Sequence, residues 1–248
     1  MKQEYNKYTS VDFDVWKILF ESQLLLVKDK ACSEFLKGVE TLQFKGERIA
    51  NFEETNAILL QVTGWQIQVV PGLIPPADFF KLLHEKKFCA ATWLRNMDQL
   101  DYLEEPDMFH DVFGHIPYLA NPHISSFLQR LAGIALQYIL NEKVIEMIAT
   151  LYWYTIEFGL IKSKDGQVKI FGAGIVSSPG ESIYCLEQTQ LHQPFDVATI
   201  LKTSYRKDIF QSTYFVLDSL EQLELSLLPL QHILEEEFGS VSKKSVTG

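Results

Sequence analysis

Two histidines, His110 and His115, lie five residues apart in the run EPDMFHDVFGHIP, residues 105–117. Imidazole is a common metal ligand. On a regular helix, however, a spacing of four puts two imidazoles on one face. At about 100° per residue, five steps carry the second side chain about 140° away from the first. Gly114 and Pro117 offer a remedy. Glycine relaxes the backbone, and proline biases its predecessor out of helix. A helix that ends or bends between His110 and His115 would aim both rings at one point. A third ligand is available in LYWYTIEFGL, residues 151–160, where Glu157 is the sole acid in an apolar and aromatic run. A buried carboxylate is costly without a partner, so Glu157 should meet a cation. Two histidines and one carboxylate with open positions form the facial triad of non-heme Fe(II) oxygenases. Zinc accepts the same ligands, so residue type alone leaves the metal open.

The elements that must carry these residues are mostly helices. Apolar residues at helical spacing from Asp12 to about Leu42 predict two amphipathic helices after a loose start over residues 1–11. Asn51 followed by Glu53 and Glu54 predicts a helix to about Gln61. The alternation from Trp65 to Val69 predicts a short strand. Residues 70–76, VPGLIPP, predict a loop. A helix is expected from Ala77 to Lys86 and an apolar strand from Phe88 to Leu94. Further helices are expected from Asn121-Pro122 to about Leu140, from Glu142 to Phe158, from Ser178 onward, and from Leu220 to Phe238. Val168 to Phe171 and Thr213 to Leu217 read as strands. The fold class expected is therefore mainly α with minor short β-strands. It would be a single domain over residues 1–238, followed by a disordered tail over 239–248.

Composition narrows the function classes. A hydrophobic content of 47% is ample for a core. A net charge of −10 and a pI near 5.1 argue against nucleic acid or anionic membrane as partners. No apolar run approaches membrane-span length, and residues 1–14 lack the apolar core of a signal peptide. Cys32, Cys89 and Cys185 are widely spaced without a CxxC, which fits reduced thiols in a cytoplasmic protein.

Three runs, EPDMFHDVFGHIPYL, TLYWYTIEFGL and FGAGIVSSPGE, resemble the catalytic domain of the pterin-dependent aromatic amino acid hydroxylases, and among them the short bacterial phenylalanine hydroxylases. The resemblance covers about residues 50–220. It implies a basket of helices with small sheets around a metal. It also implies Fe(II) on His110, His115 and Glu157, with a tetrahydropterin, tetrahydrobiopterin or a relative, as co-substrate. By the same resemblance Gly72, Leu73 and Ile74 bind the pterin edge and Phe79 stacks on its ring. Asp111 reaches it through water, and Ala149 and Tyr152 lie beside it. Arg95 holds the substrate carboxylate, oriented by Asp107, with Ser177 nearby. Pro106, Trp153 and Phe158 line the ring pocket. Read without the resemblance, Arg95 is a surface cation ending a strand, Ser177 a loop or cap serine, and the aromatics core packing.

Leu103 stands where animal members carry a threonine, and Lys207 falls where substrate preference is set and fits neither familiar pattern. Trp153 argues against tryptophan as substrate. The implied reaction is L-phenylalanine, O2 and tetrahydropterin going to L-tyrosine and a hydroxylated pterin, with tyrosine or tryptophan as alternative substrates. The chain has no room for the regulatory or tetramerising segments of longer members, so a monomer is expected. Two rivals are a zinc hydrolase using Asp111 as base, and a non-enzymatic helical binding protein with hydrogen-bonded His and Glu.

Overall fold

Polar side chains cap many of the helix starts, among them Thr9, Asn51, Asn121 and Asn141. The computed structural model describes residues 1–100, 103 and 105–239. Thr9 and Asp12 form a reciprocal capping box at the start of α1 (Ser10–Val27). A second helix, α2 (Ser33–Thr41), follows. Asn51 caps α3 (Phe52–Val62) through the Glu53 and Glu54 amides. Gly64, at φ 76, turns the chain into β1 (Gln66–Val69). Next come α4 (Pro76–His84) and β2 (Lys87–Ala90), which pairs in parallel with β1. A π-helical stretch (His110–His115) runs directly into α5 (Ile116–Leu119). Asn121 with Pro122 opens α6 (Pro122–Gln137). Asn141 caps α7 (Glu142–Tyr152), which continues as a second π-helical stretch (Trp153–Glu157).

The remainder builds a small sheet. Its strands β3 (Leu160–Lys162) and β4 (Val168–Ile170) form an antiparallel hairpin. They precede α8 (Ala173–Val176) and α9 (Pro179–Glu187), β5 (His192–Pro194), α10 (Val197–Ile200) and β6 (Tyr214–Leu217). The sheet order is β4-β3-β6-β5, with β6 parallel to both neighbours. The chain closes with α11 (Leu220–Leu225) and α12 (Leu227–Phe238).

One buried cluster runs from Val15 in α1 to Leu234 in α12. Its densest part is an aromatic plug under the first π stretch. Phe113 meets Phe109, Phe20 and Phe35 at ring-centroid distances of 4.8, 5.4 and 5.4 Å, and Trp16 meets Phe109 at 5.9 Å. Helix α2 closes on α5 so tightly that a Cβ on Gly38 would lie 2.0 Å from the Pro117 carbonyl oxygen.

Several expectations need correction. The N-terminal residues are tied down: Gln3 donates to Ala50 O, Tyr5 to Ile49 O and Tyr8 to Thr92 O at 2.9, 2.9 and 2.7 Å. The strand expected to reach Leu94 ends at Ala90. Beyond it, carboxylates take the backbone donors: Ala91 N–H bonds Asp111 Oδ2 at 2.8 Å and Arg95 N–H bonds Asp107 Oδ2 at 3.0 Å. The helix expected over Leu220–Phe238 breaks at Ser226, since Pro229 has no N–H to donate to Leu225 O. The helix expected to Phe158 keeps regular geometry only to Tyr152. Apart from Gly239, the tail expected to be disordered lies outside the described residues.

Candidate active site

The five-residue histidine spacing is resolved by widening the helix. Between His110 and His115 the backbone is π-helical, and its i to i+5 hydrogen bonds bring residues five apart one above the other. The helix does not end there; it widens to the π form and runs on into α5. Gly114 permits this under load, since a Cβ there would lie 2.9 Å from Ala173 O. The third ligand sits on the other π stretch, whose last residue is Glu157.

These stretches bring three ligand atoms within 4.8 Å of one another, the one such grouping among the described residues. His115 Nε2 lies 3.3 Å from His110 Nε2 and 3.0 Å from Glu157 Oε1, and His110 Nε2 lies 3.8 Å from Glu157 Oε2. Ser177 fixes the tautomer of His110. Its hydroxyl donates to Ala173 O at 2.8 Å, so its oxygen accepts from His110 Nδ1–H at 2.9 Å. His110 Nε2 therefore presents a lone pair to the site. Tyr152 OH stands 3.5 Å from His115 Nδ1, and its hydroxyl helps keep Glu157 ionised. Burial pushes His110 down to about 4, keeping it neutral at ordinary pH. Burial pushes Glu157 up, but His115 and His110 pull it further down, so it is a carboxylate. His110 Nε2, His115 Nε2 and the Glu157 carboxylate converge on one point, a donor set that fits a divalent cation.

Among the other nominated residues, Asp107, Ser177 and Tyr152 contact the triad directly. Arg95 is buried, at 8% exposure, which excludes the surface reading. Its Nε and Nη2 donate to Asp107 Oδ2 and Oδ1, each at 2.9 Å. Nη1 donates to Leu100 O at 3.4 Å, and its second proton with that of Nη2 faces away from Asp107. Burial pushes Asp107 up, but the Arg95 bonds outweigh it and hold the carboxyl below its usual range. Asp107 also accepts from His110 N–H at 3.1 Å, so one carboxylate sets both the fork and a candidate ligand. Pro106 beside it is half-buried, as is Leu103. Ser177 reaches the site through His110, with its own proton committed to Ala173.

Trp153 and Phe158 flank Glu157, their rings 4.6 Å apart. Phe158 seals against Gly174, where a Cβ would lie 2.7 Å from its ring. On the other side, Phe79 on α4 meets the Tyr152 ring edge-on at 5.2 Å. Gly72, Leu73 and Ile74 form the loop before α4, with Leu73 exposed, and Ala149 is half-buried on α7. Asp111 spends one oxygen on the Ala91 amide, and burial pushes it up to about 7.

Three neighbours carried no sequence signal for the site. Phe88 packs its ring 4.7 Å from His115. Tyr205 stacks on Trp153 at 4.4 Å, and Gln211 accepts from the Trp153 indole at 3.0 Å. Lys207 places its amine 5.9 Å from the Trp153 ring centre.

Comparison with known proteins fits this geometry. The phenylalanine-4-hydroxylase of Ralstonia nicotianae is 46% identical over 224 residues, covering 90% of this chain and 71% of the relative. The crystal structure of Chromobacterium violaceum phenylalanine hydroxylase with bound iron(III) and 7,8-dihydrobiopterin superposes with a TM-score of 0.87 at 40% identity, over 98% of this chain and 90% of that one. The iron- and phenylalanine-bound structure of the same enzyme gives 0.86 at 38% identity, over 98% and 91%. The model of the family described as biopterin-dependent aromatic amino acid hydroxylase matches residues 3–244. A metal-ready triad on two π-helical stretches, a buried Arg–Asp pair and a match over nearly the whole length lead to one conclusion: this chain belongs to the biopterin-dependent aromatic amino acid hydroxylases.

Proposed function

We propose that this chain is an iron- and tetrahydropterin-dependent monooxygenase that converts L-phenylalanine and O2 to L-tyrosine, acting as one catalytic domain over residues 1–238. The observation that carries the reading is the convergence of His110, His115 and Glu157 within 4.8 Å beside a buried arginine. Phenylalanine is favoured as substrate by the relatives' names and by the phenylalanine held in the C. violaceum enzyme.

His110, His115 and Glu157 would hold Fe(II) on one side, leaving the other side of the ion open. Bound iron and tetrahydropterin together supply the activation of O2, the pterin giving two electrons and leaving hydroxylated. The chain's own residues do the rest. Arg95 takes the amino acid's carboxylate on the edge that Asp107 does not occupy, while Asp107 holds the guanidinium still. Trp153, Phe158 and Pro106 hold the ring and exclude water. Phe79 offers its face to the pterin, whose edge lies along Gly72, Leu73 and Ile74. Asp111, Tyr152 and Ala149 complete that wall.

The surroundings suit a monomer working on small molecules in the cytoplasm. The net charge of −10 disfavours nucleic acid. Cys32, Cys89 and Cys185 are all free thiols. Among the described residues, no helix is long and apolar enough to cross a membrane. The deciding experiment is product analysis with each aromatic amino acid in turn, with Fe(II), O2 and a tetrahydropterin. Tyrosine formed from phenylalanine in step with pterin oxidation is expected. Hydroxylation of tyrosine or tryptophan at a higher kcat/KM would move the substrate, and no hydroxylated product from any of the three would overturn the reading.

A further inference from the structure

The chain between α10 and β6, residues 202–213, has no regular secondary structure, yet it forms the outer wall over Trp153. One residue closes it. Gln211 is buried, at 3% exposure, and its side-chain amide and backbone N–H are all engaged. Its backbone N–H donates to Glu181 Oε1 at 3.0 Å, an oxygen that also accepts from Tyr214 OH. Its Nε2 donates to Arg206 O at 2.9 Å and Ile209 O at 3.4 Å, folding the loop onto itself. Since Nε2 faces two carbonyls, the amide cannot be turned round, and Oε1 is left to accept from Trp153 Nε1–H at 3.0 Å.

The indole has little else to fix its rotation. It lies between the Tyr205 ring, stacked at 4.4 Å and 16°, and the Phe158 ring at 4.6 Å and 36°. Stacking sets the tilt of a ring but lets it slide in its own plane. A hydrogen bond at the edge removes that freedom. Trp153 stands at the start of the π stretch that ends with Glu157, so its indole and the metal-facing carboxylate share one short rigid segment.

We propose that Gln211 is a positioning residue for the hydroxylation. It locks the Trp153 indole in place and so sets the attitude of the substrate ring toward the metal. Glu181 and Tyr214 anchor Gln211 from behind, through its backbone amide. This inference rests on the function proposed above. A ring held at the wrong attitude would leave pterin oxidation running without ring hydroxylation.

The test is a double-mutant cycle on the iron-loaded chain with phenylalanine and tetrahydropterin. Gln211→Met keeps length and removes the acceptor. Trp153→Phe keeps a ring and removes the donor. A lost hydrogen bond that strands a buried partner corresponds to about a tenfold effect. Q211M should therefore raise the amino acid's KM about tenfold and lower tyrosine formed per pterin oxidised. Pterin KM and iron content should stay at parent values. W153F should show the same split, and Q211M added to W153F should cost less than about twofold more. Parent-like KM and product yield in Q211M, or penalties that simply add in the double variant, would overturn the proposal. If Q211M does not fold, W153F decides, and parent-like behaviour there overturns it as well. A parent chain that hydroxylates nothing would instead defeat the proposed function, so the two failures are distinguishable.

Discussion

At the residue scale, Asp107 ties the two halves of the site together. It pairs with Arg95 through both oxygens and also accepts from the His110 amide. Truncating one side of a buried charged pair costs roughly 2–5 kcal/mol. At ~1.4 kcal/mol per decade, Arg95→Ala should lower kcat/KM for phenylalanine at least ~25-fold. Arg95→Lys should recover little, because a point charge does not replace a planar fork. The decisive comparison is phenethylamine, which lacks the carboxylate: it should lose far less on the variant than phenylalanine does. Equal losses for both, with iron falling in proportion, would make Arg95 a support for the His110 segment only. On the proposed cofactor side, Phe79→Ala removes a ring face worth ~1 kcal/mol beyond its buried area, about fivefold in affinity. Pterin KM should rise by about that factor while phenylalanine KM holds. The opposite pattern would place Phe79 on the substrate side.

At the element scale, the two π-helical stretches are what make this sequence a site. The five-residue histidine spacing announced that a regular helix would fail, and Gly114 and Pro117 marked where. Neither told how, because a π turn leaves no periodic signature over six residues. The grouping of Glu157 with the two histidines was legible for a different reason: a lone acid in an aromatic run has few roles. Strands β3 and β5, three residues each, fall below the length at which alternation can be read. Gln211 was illegible because its partner Trp153 is 58 residues away. Gly114 tests the element directly. Adding a methyl 2.9 Å from the Ala173 carbonyl must push the π stretch or α8, and α8 leads into Ser177. Overpacking of this kind costs about 1–3 kcal/mol, so Gly114→Ala should lower Tm by roughly 2–12 °C and weaken iron binding. Calorimetry and iron titration check both. An unchanged Tm with full iron affinity would mean that the close approach is not what holds the histidines in register.

At the scale of the whole molecule, the site is assembled from long separations along the chain. Arg95, His110, Glu157 and Ser177 come from four different segments. One continuous cluster from Val15 to Leu234 holds those segments in place. Helices α1 and α2 contribute no ligand; they supply Trp16, Phe20 and Phe35, the plug beneath His110 and His115. The N-terminal tyrosines reach the same end, Tyr8 bonding Thr92 O three residues before Arg95. The class of fold could be read from helix periodicity and caps. The closeness of these segments could not, since contact between remote segments is set by packing and not by local pattern. The central claim, that this packing builds an iron centre from His110, His115 and Glu157, is tested most directly by anomalous scattering at the iron edge from crystals loaded with one Fe(II) per chain. The account predicts a single peak at roughly 2.0–2.2 Å from His110 Nε2, His115 Nε2 and a Glu157 oxygen, the distances these donor types take up with a comparable ion. A peak on other residues in an active crystal, or none there at full activity, would contradict it.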